Sequence, residues 1–184
     1  MTAARFAPLL LLLLTVPVAA QEGVFLSDAE APAAVFPDAD RFERREVPAT
    51  PELQAAMAAR LDGVTPSVWE ERWTVVRAFH GERLLGQAVF VDEIGKHRPI
   101  SFVVGLRPDG RVEDVAVTAY REAYGGEVRS ARFLAQYHGK GPNDRLRTHD
   151  DVQNIAGATL SVDAASRAVR KAQALAAALA ERGQ

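Results

Sequence analysis

Residues 100–119 read ISFVVGLRPDGRVEDVAVTA, and this stretch decides the fold. It holds two segments with the composition of β-strands, one from Ile100 to Leu106 and one from about Val112 to Ala119. Between them lies Pro108-Asp109-Gly110, in which Pro fixes φ and Gly accepts a positive φ. The stretch therefore predicts two antiparallel strands joined by a tight turn.

The preceding residues extend the same pattern. A strand is predicted at Trp73–Phe79, a turn at His80-Gly81-Glu82 and a second strand at Leu84–Val91. Four sequential strands with short connections indicate an antiparallel β-meander rather than a parallel nucleotide-binding sheet. The chain also has no Gly-rich loop of the dinucleotide-binding or P-loop type.

The C-terminal residues change to a helical period. A long helix is predicted from Ser161 through about Ala180, with one apolar stripe that Arg167, Arg170 and Lys171 largely avoid. Its small side chains favour close packing on the sheet, so the predicted fold class is α+β, an antiparallel β-meander against a long C-terminal helix. The stripe consists of Val162, Ala165, Val169, Ala172, Ala176 and Leu179.

The N-terminus has the three parts of a secretory signal. Arg5 supplies the positive charge, Leu9–Leu14 the apolar run and Val18-Ala19-Ala20 the small-residue cleavage site. A retained membrane anchor is the alternative, but the apolar run is short for a bilayer span. We therefore expect residues 1–20 to be a cleaved signal peptide and the mature protein to be periplasmic and possibly membrane-associated.

The next residues predict an arm and then the folded domain. Residues 21–50 contain Pro32, Pro37 and Pro48, which exclude a long helix, and they are interpreted as a flexible Pro/Ala-rich arm. A short helix is predicted from Pro51, because Leu53, Met57 and Leu61 recur at a spacing of four. The domain itself is therefore expected to span residues 51–184.

Composition excludes several chemistries. The 184-residue chain has no Cys, which rules out disulfides, a catalytic thiol and iron–sulfur ligation. Without residues 1–20, which contain Arg5 and no acid, 21 basic residues face 24 acidic ones, a net charge of −3 that argues against a nucleic-acid partner. No metal site is expected either, because the four His residues form no closely spaced ligand pair.

One motif points to a specific chemistry. Residues 155–161, Ile-Ala-Gly-Ala-Thr-Leu-Ser, form a small-residue loop that opens into the C-terminal helix. The Thr159 hydroxyl is placed where a helix N-terminus presents unpaired N–H groups, so a phosphate ester there is electrostatically favoured. The alternative is an ordinary helix start with Ser161 as N-cap and Asp163 in the first turn.

The motif resembles the Ser-Gly-Ala-Thr-x-Ser/Thr attachment sequence of the FMN-binding domain family, which includes periplasmic subunits of the Rnf complex and of the sodium-translocating NADH:quinone oxidoreductase. Gly157, Ala158, Thr159 and Ser161 match, whereas Ala156 stands where Ser is usual. The resemblance implies FMN bound covalently through its phosphate to Thr159.

Two further stretches resemble this family. After the sheet, Glu122 and Gly125 occupy places in a loop that the resemblance puts against the isoalloxazine ring, although Ala123-Tyr124 replaces the usual Thr-Pro pair. Its alternative is a Gly-Gly turn with a solvated Glu. The stretch 95–102 also resembles the family. Its Lys96 or His97 could face a phosphate or the N1–C2 edge of reduced flavin, and the alternative is a solvated basic turn.

The resemblance implies an exported electron carrier. No substrate pocket or general acid–base pair can be recognised, so an enzyme with its own substrate is the less favoured expectation. Implied partners are an extracytoplasmic FMN transferase and a membrane-bound electron donor or acceptor. The alternatives are a flavin-binding regulatory or maturation module of a membrane oxidoreductase and a secreted structural domain.

Overall fold

The computed structural model describes residues 23–66 and 70–183. They form a six-stranded antiparallel sheet with the strand order β1-β6-β5-β4-β3-β2, together with helices on both faces. The expected signal peptide lies outside the described residues. The strands are β1 (Gly23–Val24), β2 (Arg41–Pro48), β3 (Arg72–His80), β4 (Arg83–Ile94), β5 (Pro99–Leu106) and β6 (Val112–Tyr120), and the helices are α1 (Ala31–Val35), α2 (Pro51–Ala58), α3 (Ala131–Leu134) and α4 (Thr159–Ala180).

Strands β3 to β6 confirm the predicted meander. Each predicted strand is present and pairs with its neighbour in sequence, and the longest extension is that of β4 to Ile94. Gly110 has φ of +80° in the turn between β5 and β6. Most of β5 is buried on both faces, because helices cover the two sides of the sheet. The fold class is therefore α+β, as the alternation of apolar residues predicted.

Helix α4 covers one face of the sheet. Every residue of its predicted apolar stripe is buried, and it packs against β4, β5 and α2. The helix begins at Thr159, two residues earlier than predicted. Because α4 crosses the central strands, its packing fixes where its N-terminus lies.

Lys171 departs from the prediction for α4. It was expected to lie off the apolar stripe, but it is only 4% exposed and forms an ion pair with Glu93 of β4. Arg167 Nε lies 2.9 Å from the other carboxylate oxygen of Glu93. The prediction is wrong because a charged residue on the sheet provides a buried partner that helical spacing alone cannot reveal.

The opposite face of the sheet is covered by α1. Val35 and Phe36 are buried there against Gly86 and Gly105, where a Cβ would lie within 3.0 Å of their side chains. Pro32 lies in the first turn of α1, a position that proline tolerates because that N–H has no helical partner. These contacts fasten residues 31–36 to the sheet.

The expected flexible arm over residues 21–50 is therefore wrong for residues 23–50. Strand β2 pairs with β3 over its whole length, from Arg41 to Pro48, and forms one edge of the sheet. Its charged side chains explain the misinterpretation, since five of its eight residues are Arg or Glu. An edge strand with such charges resembles a linker in composition.

Helix α2 confirms the short helix predicted from Pro51. Thr50 caps it by accepting a hydrogen bond from the Leu53 N–H at 3.3 Å. Leu53 and Met57 are buried against α4, and Leu61 is buried just beyond the helix. Among the helices in the part of the chain described, none combines the length and hydrophobicity needed to cross a bilayer.

Candidate functional site

The N-terminus of α4 presents Thr159 to solvent. Thr159 is the first helical residue and is exposed, and the first helical hydrogen bond runs from the Val162 N–H to the Ala158 carbonyl. The N–H groups of Thr159, Leu160 and Ser161 consequently have no partner within the helix. The first turn also has no acidic side chain. This arrangement places a hydroxyl at the positive end of a 22-residue helix.

Asn154 holds the Thr159 hydroxyl. Its Nδ2 donates a hydrogen bond to Thr159 Oγ1 at 2.9 Å. The Asn154 Oδ1 atom is buried and has no hydrogen-bond partner within residues 23–66 and 70–183. Asn154 could not be recognised from the sequence, because a single amide five residues before the threonine forms no recognisable motif.

Ser161 has a different role from the one predicted. It lies within α4 and is buried, and its hydroxyl is hydrogen-bonded to the Tyr120 hydroxyl at 3.0 Å. Tyr120 in turn donates to the Tyr124 carbonyl, and burial is the main factor that raises the pKa of Tyr120. The N-cap position is Ala158, which has no side chain to cap the helix. Ser161 therefore joins the helix to the end of β6 rather than starting the helix.

Gly125 is packed against the same residues. It has φ of +84°, in the left-handed region, and a Cβ there would lie 2.9 Å from Ser161 Oγ, 3.0 Å from Tyr120 Oη and 3.3 Å from Ala158 Cβ. Only glycine meets both the backbone and the space requirement. The fold thus brings Gly125, Ala158 and Ser161 together, although about 33 residues of sequence separate the loop from the motif.

Glu122 connects this loop to the turn after β4. It is only 6% exposed, and its Oε1 accepts hydrogen bonds from the backbone N–H groups of His97 and Arg98. Burial opposes ionisation of Glu122, but hydrogen bonds from the backbone of residues 96–98 outweigh it and hold the pKa below the usual 4.5. The alternative of a solvated Glu is therefore wrong. Lys96, His97 and Arg98 are themselves exposed.

Glu122 predicts a defined loss of stability in acid. Because its pKa is lower in the folded state, its contribution is present above the unfolded pKa of about 4.5 and is lost as the pH falls through the folded pKa. We expect Glu122→Gln to lower the free energy of unfolding at pH 7 by about 2 kcal/mol, the scale of hydrogen bonds to a charged group. The difference from wild type should shrink below pH 4, as measured by urea unfolding at several pH values.

The exposed Glu82 supplies the matched control for this measurement. Glu82→Gln should leave the unfolding free energy within about 0.5 kcal/mol at every pH, as surface substitutions do. A Glu122→Gln variant whose deficit is constant from neutral to acid pH would contradict the assigned ionisation.

Asp151 organises the loop before the motif. Its carboxylate accepts from the backbone N–H groups of Leu146 at 3.0 Å and Arg147 at 2.8 Å, and Lys140 Nζ lies 3.4 Å away. Burial opposes ionisation of Asp151, but these contacts outweigh it and lower its pKa. Leu146 has a positive φ of 50° in this loop. Asp151 thus fixes the path of the chain toward Asn154 and Thr159.

A cleft of about 330 Å³ adjoins the start of the stretch 155–161. Asn154 forms part of its wall, and Phe133 provides an aromatic surface that packs edge-on against Tyr137 with ring centres 5.9 Å apart. Arg132 adds a positive charge to the lining. The remaining residues that line it are Glu127, Ser130, Gln136, Gln153 and Ile155.

Comparison with known families decides the identity of this arrangement. Residues 95–174 match the family model of the FMN-binding domain. The chain therefore carries an FMN-binding domain. The match extends from the turn that Glu122 holds to the middle of α4, and it includes Gly125, Thr159 and Ser161. Among curated proteins, none matches the chain.

The residues of this FMN-binding domain fit the cofactor. The Thr159 hydroxyl and the free N–H groups beside it suit a phosphate, and Gly157 leaves open space around the motif, since nothing lies within 4 Å of the place of a Cβ. The unpartnered Asn154 Oδ1 is free to accept a hydrogen bond from a hydroxyl group of the cofactor. No cluster of three His, Cys, Asp or Glu side chains among the described residues could hold a metal ion.

Proposed function

We propose that this flavoprotein carries FMN on Thr159 through a phosphoester bond and passes electrons between partners outside the cytoplasmic membrane. The observation that carries the proposal is the exposed Thr159 hydroxyl at the uncapped N-terminus of α4, inside a matched FMN-binding domain. Bound FMN supplies one- and two-electron redox chemistry. The absence of Cys leaves this cofactor as the protein's redox group.

The chain's own residues bind and orient the phosphate. The N–H groups of residues 159–161 stabilise its negative charge, together with the helix dipole. Asn154 donates to the oxygen that becomes the ester oxygen, which sets the direction of the bond. The buried contact between Ser161 and Tyr120 keeps this helix end fixed relative to the sheet.

The cleft beside Asn154 is the proposed place for the flavin ring. Phe133 and Ile155 are its apolar lining residues and would shield a ring bound there from water. Arg132 brings a positive charge to the same cleft, and such a charge favours a reduced, anionic ring. Tyr124 is 75% exposed near the motif and offers a further aromatic surface.

Attachment requires a partner enzyme. Within the described part of the chain, the Thr159 hydroxyl is hydrogen-bonded to the Asn154 amide, which cannot act as a base. We propose that an extracytoplasmic FMN transferase removes the hydroxyl proton and joins Oγ1 to the phosphorus of an activated flavin nucleotide, whose leaving group takes the electron pair of the broken bond. The signal features at residues 1–20 support export, and a membrane-bound donor or acceptor is the proposed redox partner.

Intact mass after co-production with the transferase tests the attachment. Wild type should gain the mass of one FMN less one water, Thr159→Ser should keep this gain, and Thr159→Ala should lose it completely. Thr148→Ala is the matched control, because it removes a hydroxyl elsewhere in the same loop and should leave the gain unchanged. A Thr159→Ala protein that kept its flavin through denaturation would refute the proposed site.

Reversible reduction tests the electron-carrier role separately. The loaded protein should lose its visible flavin absorbance under a reductant and regain it when an oxidant is added, with no loss of protein-bound flavin. A flavin that stayed oxidised under these conditions would instead support a regulatory or maturation module.

A further inference from the structure

Two neighbouring arginines on the α4 side of the sheet have no ionic partner in the part of the chain that the structure describes. Arg45 on β2 pairs with Val75 on β3, so the two side chains lie on the same face of the sheet. Arg77 comes two residues after Val75 on β3 and therefore lies on that face as well. Within the described residues, neither guanidinium has a hydrogen bond or an ion pair, and the charged group that acts on Arg45 is Arg77 itself. Glu43 of β2 lies directly opposite Arg77, but its carboxylate is paired with Arg41 instead.

Burial makes this arrangement costly for Arg45. Its Nε atom is buried without a hydrogen-bond partner in the described part of the chain. Its pKa is lowered first by burial and then by the positive charge of Arg77. Buried donors of a charged group are normally satisfied, so the unpartnered Arg45 Nε next to a second guanidinium group marks a position that an anion would stabilise.

A mainly apolar cleft of about 370 Å³ has Arg77 in its lining, and Arg45 stands beside Arg77 on the neighbouring strand. Arg77 and Gln87 are among its polar lining residues, and the apolar ones come from the sheet, from two loops and from the last turns of α4. The other charged side chains at the cleft are engaged, Arg107 with Glu113 and Asp109 with Arg111. The apolar walls consist of Leu84, Leu106, Pro108, Pro142, Ala176, Ala177 and Ala180.

The cleft is separate from the proposed flavin site. Ala176 lies 17 residues after Thr159 on the same helix, which corresponds to about 25 Å along the axis. A ligand bound in this cleft would therefore be distinct from the flavin. Its volume is at the lower end of the range for small-molecule sites, which suits a single chain rather than a two-chain lipid.

We propose that this cleft binds a fatty carboxylate, with the carboxylate accepting hydrogen bonds from Arg45 and Arg77 and the alkyl chain lying against the α4 wall. A guanidinium fork matches the geometry of a carboxylate, and one such anion relieves the repulsion between two adjacent guanidinium groups. The apolar walls gain by covering an alkyl chain in place of water. This inference does not depend on flavin attachment.

Calorimetric titration of the purified protein with dodecanoate, below its micelle concentration, tests the proposal. Dodecanoate should bind at one site. Dodecyl maltoside, which has the same chain and no charge, and acetate, which has the head group and no chain, should each bind at least about tenfold more weakly, a difference of about 1.4 kcal/mol. Equal binding of dodecanoate and dodecyl maltoside, or no binding of dodecanoate, would overturn the proposal.

Three variants locate the site. Arg45→Gln/Arg77→Gln removes the head-group contacts, Ala177→Phe fills the cleft and leaves the arginines in place, and Arg83→Gln changes an exposed arginine of β4 that does not line the cleft. The first two should weaken dodecanoate binding at least about tenfold, and the third should stay within about twofold. Unchanged binding in either of the first two would overturn the assignment, and thermal melting checks that each variant is folded.

Discussion

Glu93→Gln is expected to lower the free energy of unfolding by about 3 kcal/mol, because it leaves a buried cation without its counter-charge. Glu93 and Lys171 are both almost completely buried, and Arg167 adds a second contact to the same carboxylate at 2.9 Å. Lys171 has little access to water with which to replace the lost partner. Urea unfolding at pH 7 measures the difference.

Two controls separate this effect from an ordinary surface change. Glu93→Leu/Lys171→Met removes both charges, and it should recover most of the loss, since replacing a buried ion pair by apolar residues is often neutral. Glu181→Gln breaks the ion pair between the exposed Glu181 carboxylate and Arg60. This change should lower the free energy of unfolding by less than about 1 kcal/mol. If Glu93→Gln costs no more than Glu181→Gln, the pair does not hold α4 on the sheet.

The second large effect is expected for Gly125→Ala. The φ of +84° disfavours alanine by about 1–2 kcal/mol, and the added Cβ would also lie 2.9 Å from Ser161 Oγ. Either the loop or the start of α4 must then move. We expect a loss of about 2–3 kcal/mol in unfolding free energy together with the loss of most flavin loading, measured by urea unfolding and by intact mass.

Gly139→Ala is the matched control for Gly125→Ala. Gly139 has a similar φ of +74°, but nothing lies within 4 Å of the place of its Cβ. It should therefore show the backbone penalty of about 1 kcal/mol without any loss of flavin loading. Equal loading of the Gly125→Ala and Gly139→Ala proteins would mean that contact with Ser161 does not position the attachment site.

Local patterns were sufficient to predict the meander and the long helix. The alternation in β3 to β6 and the Pro108-Asp109-Gly110 turn depend on neighbouring residues, and so does the apolar stripe of α4. Strand β2 could not be predicted in this way. Its partner β3 begins 24 residues after Pro48, where β2 ends, and its own charged residues signal only exposure.

The candidate site was predicted unevenly for the same reason. Thr159 could be proposed because its small neighbours and the following helix are contiguous in sequence. The contacts of Ser161 with Tyr120 and of Glu122 with the turn after β4 join distant segments, so neither role followed from the sequence. Lys171 was misplaced because Glu93 lies 78 residues before it.

The most direct test of the account is to map the flavin on the loaded wild-type protein. Trypsin cleaves after Arg147 and Arg167 and so releases residues 148–167, a peptide that contains four hydroxyl residues, Thr148, Thr159, Ser161 and Ser166. We expect this peptide alone to carry the mass of one FMN less one water, and fragmentation to place that mass on Thr159. The mass on any other peptide, or on another hydroxyl of this one, would contradict it.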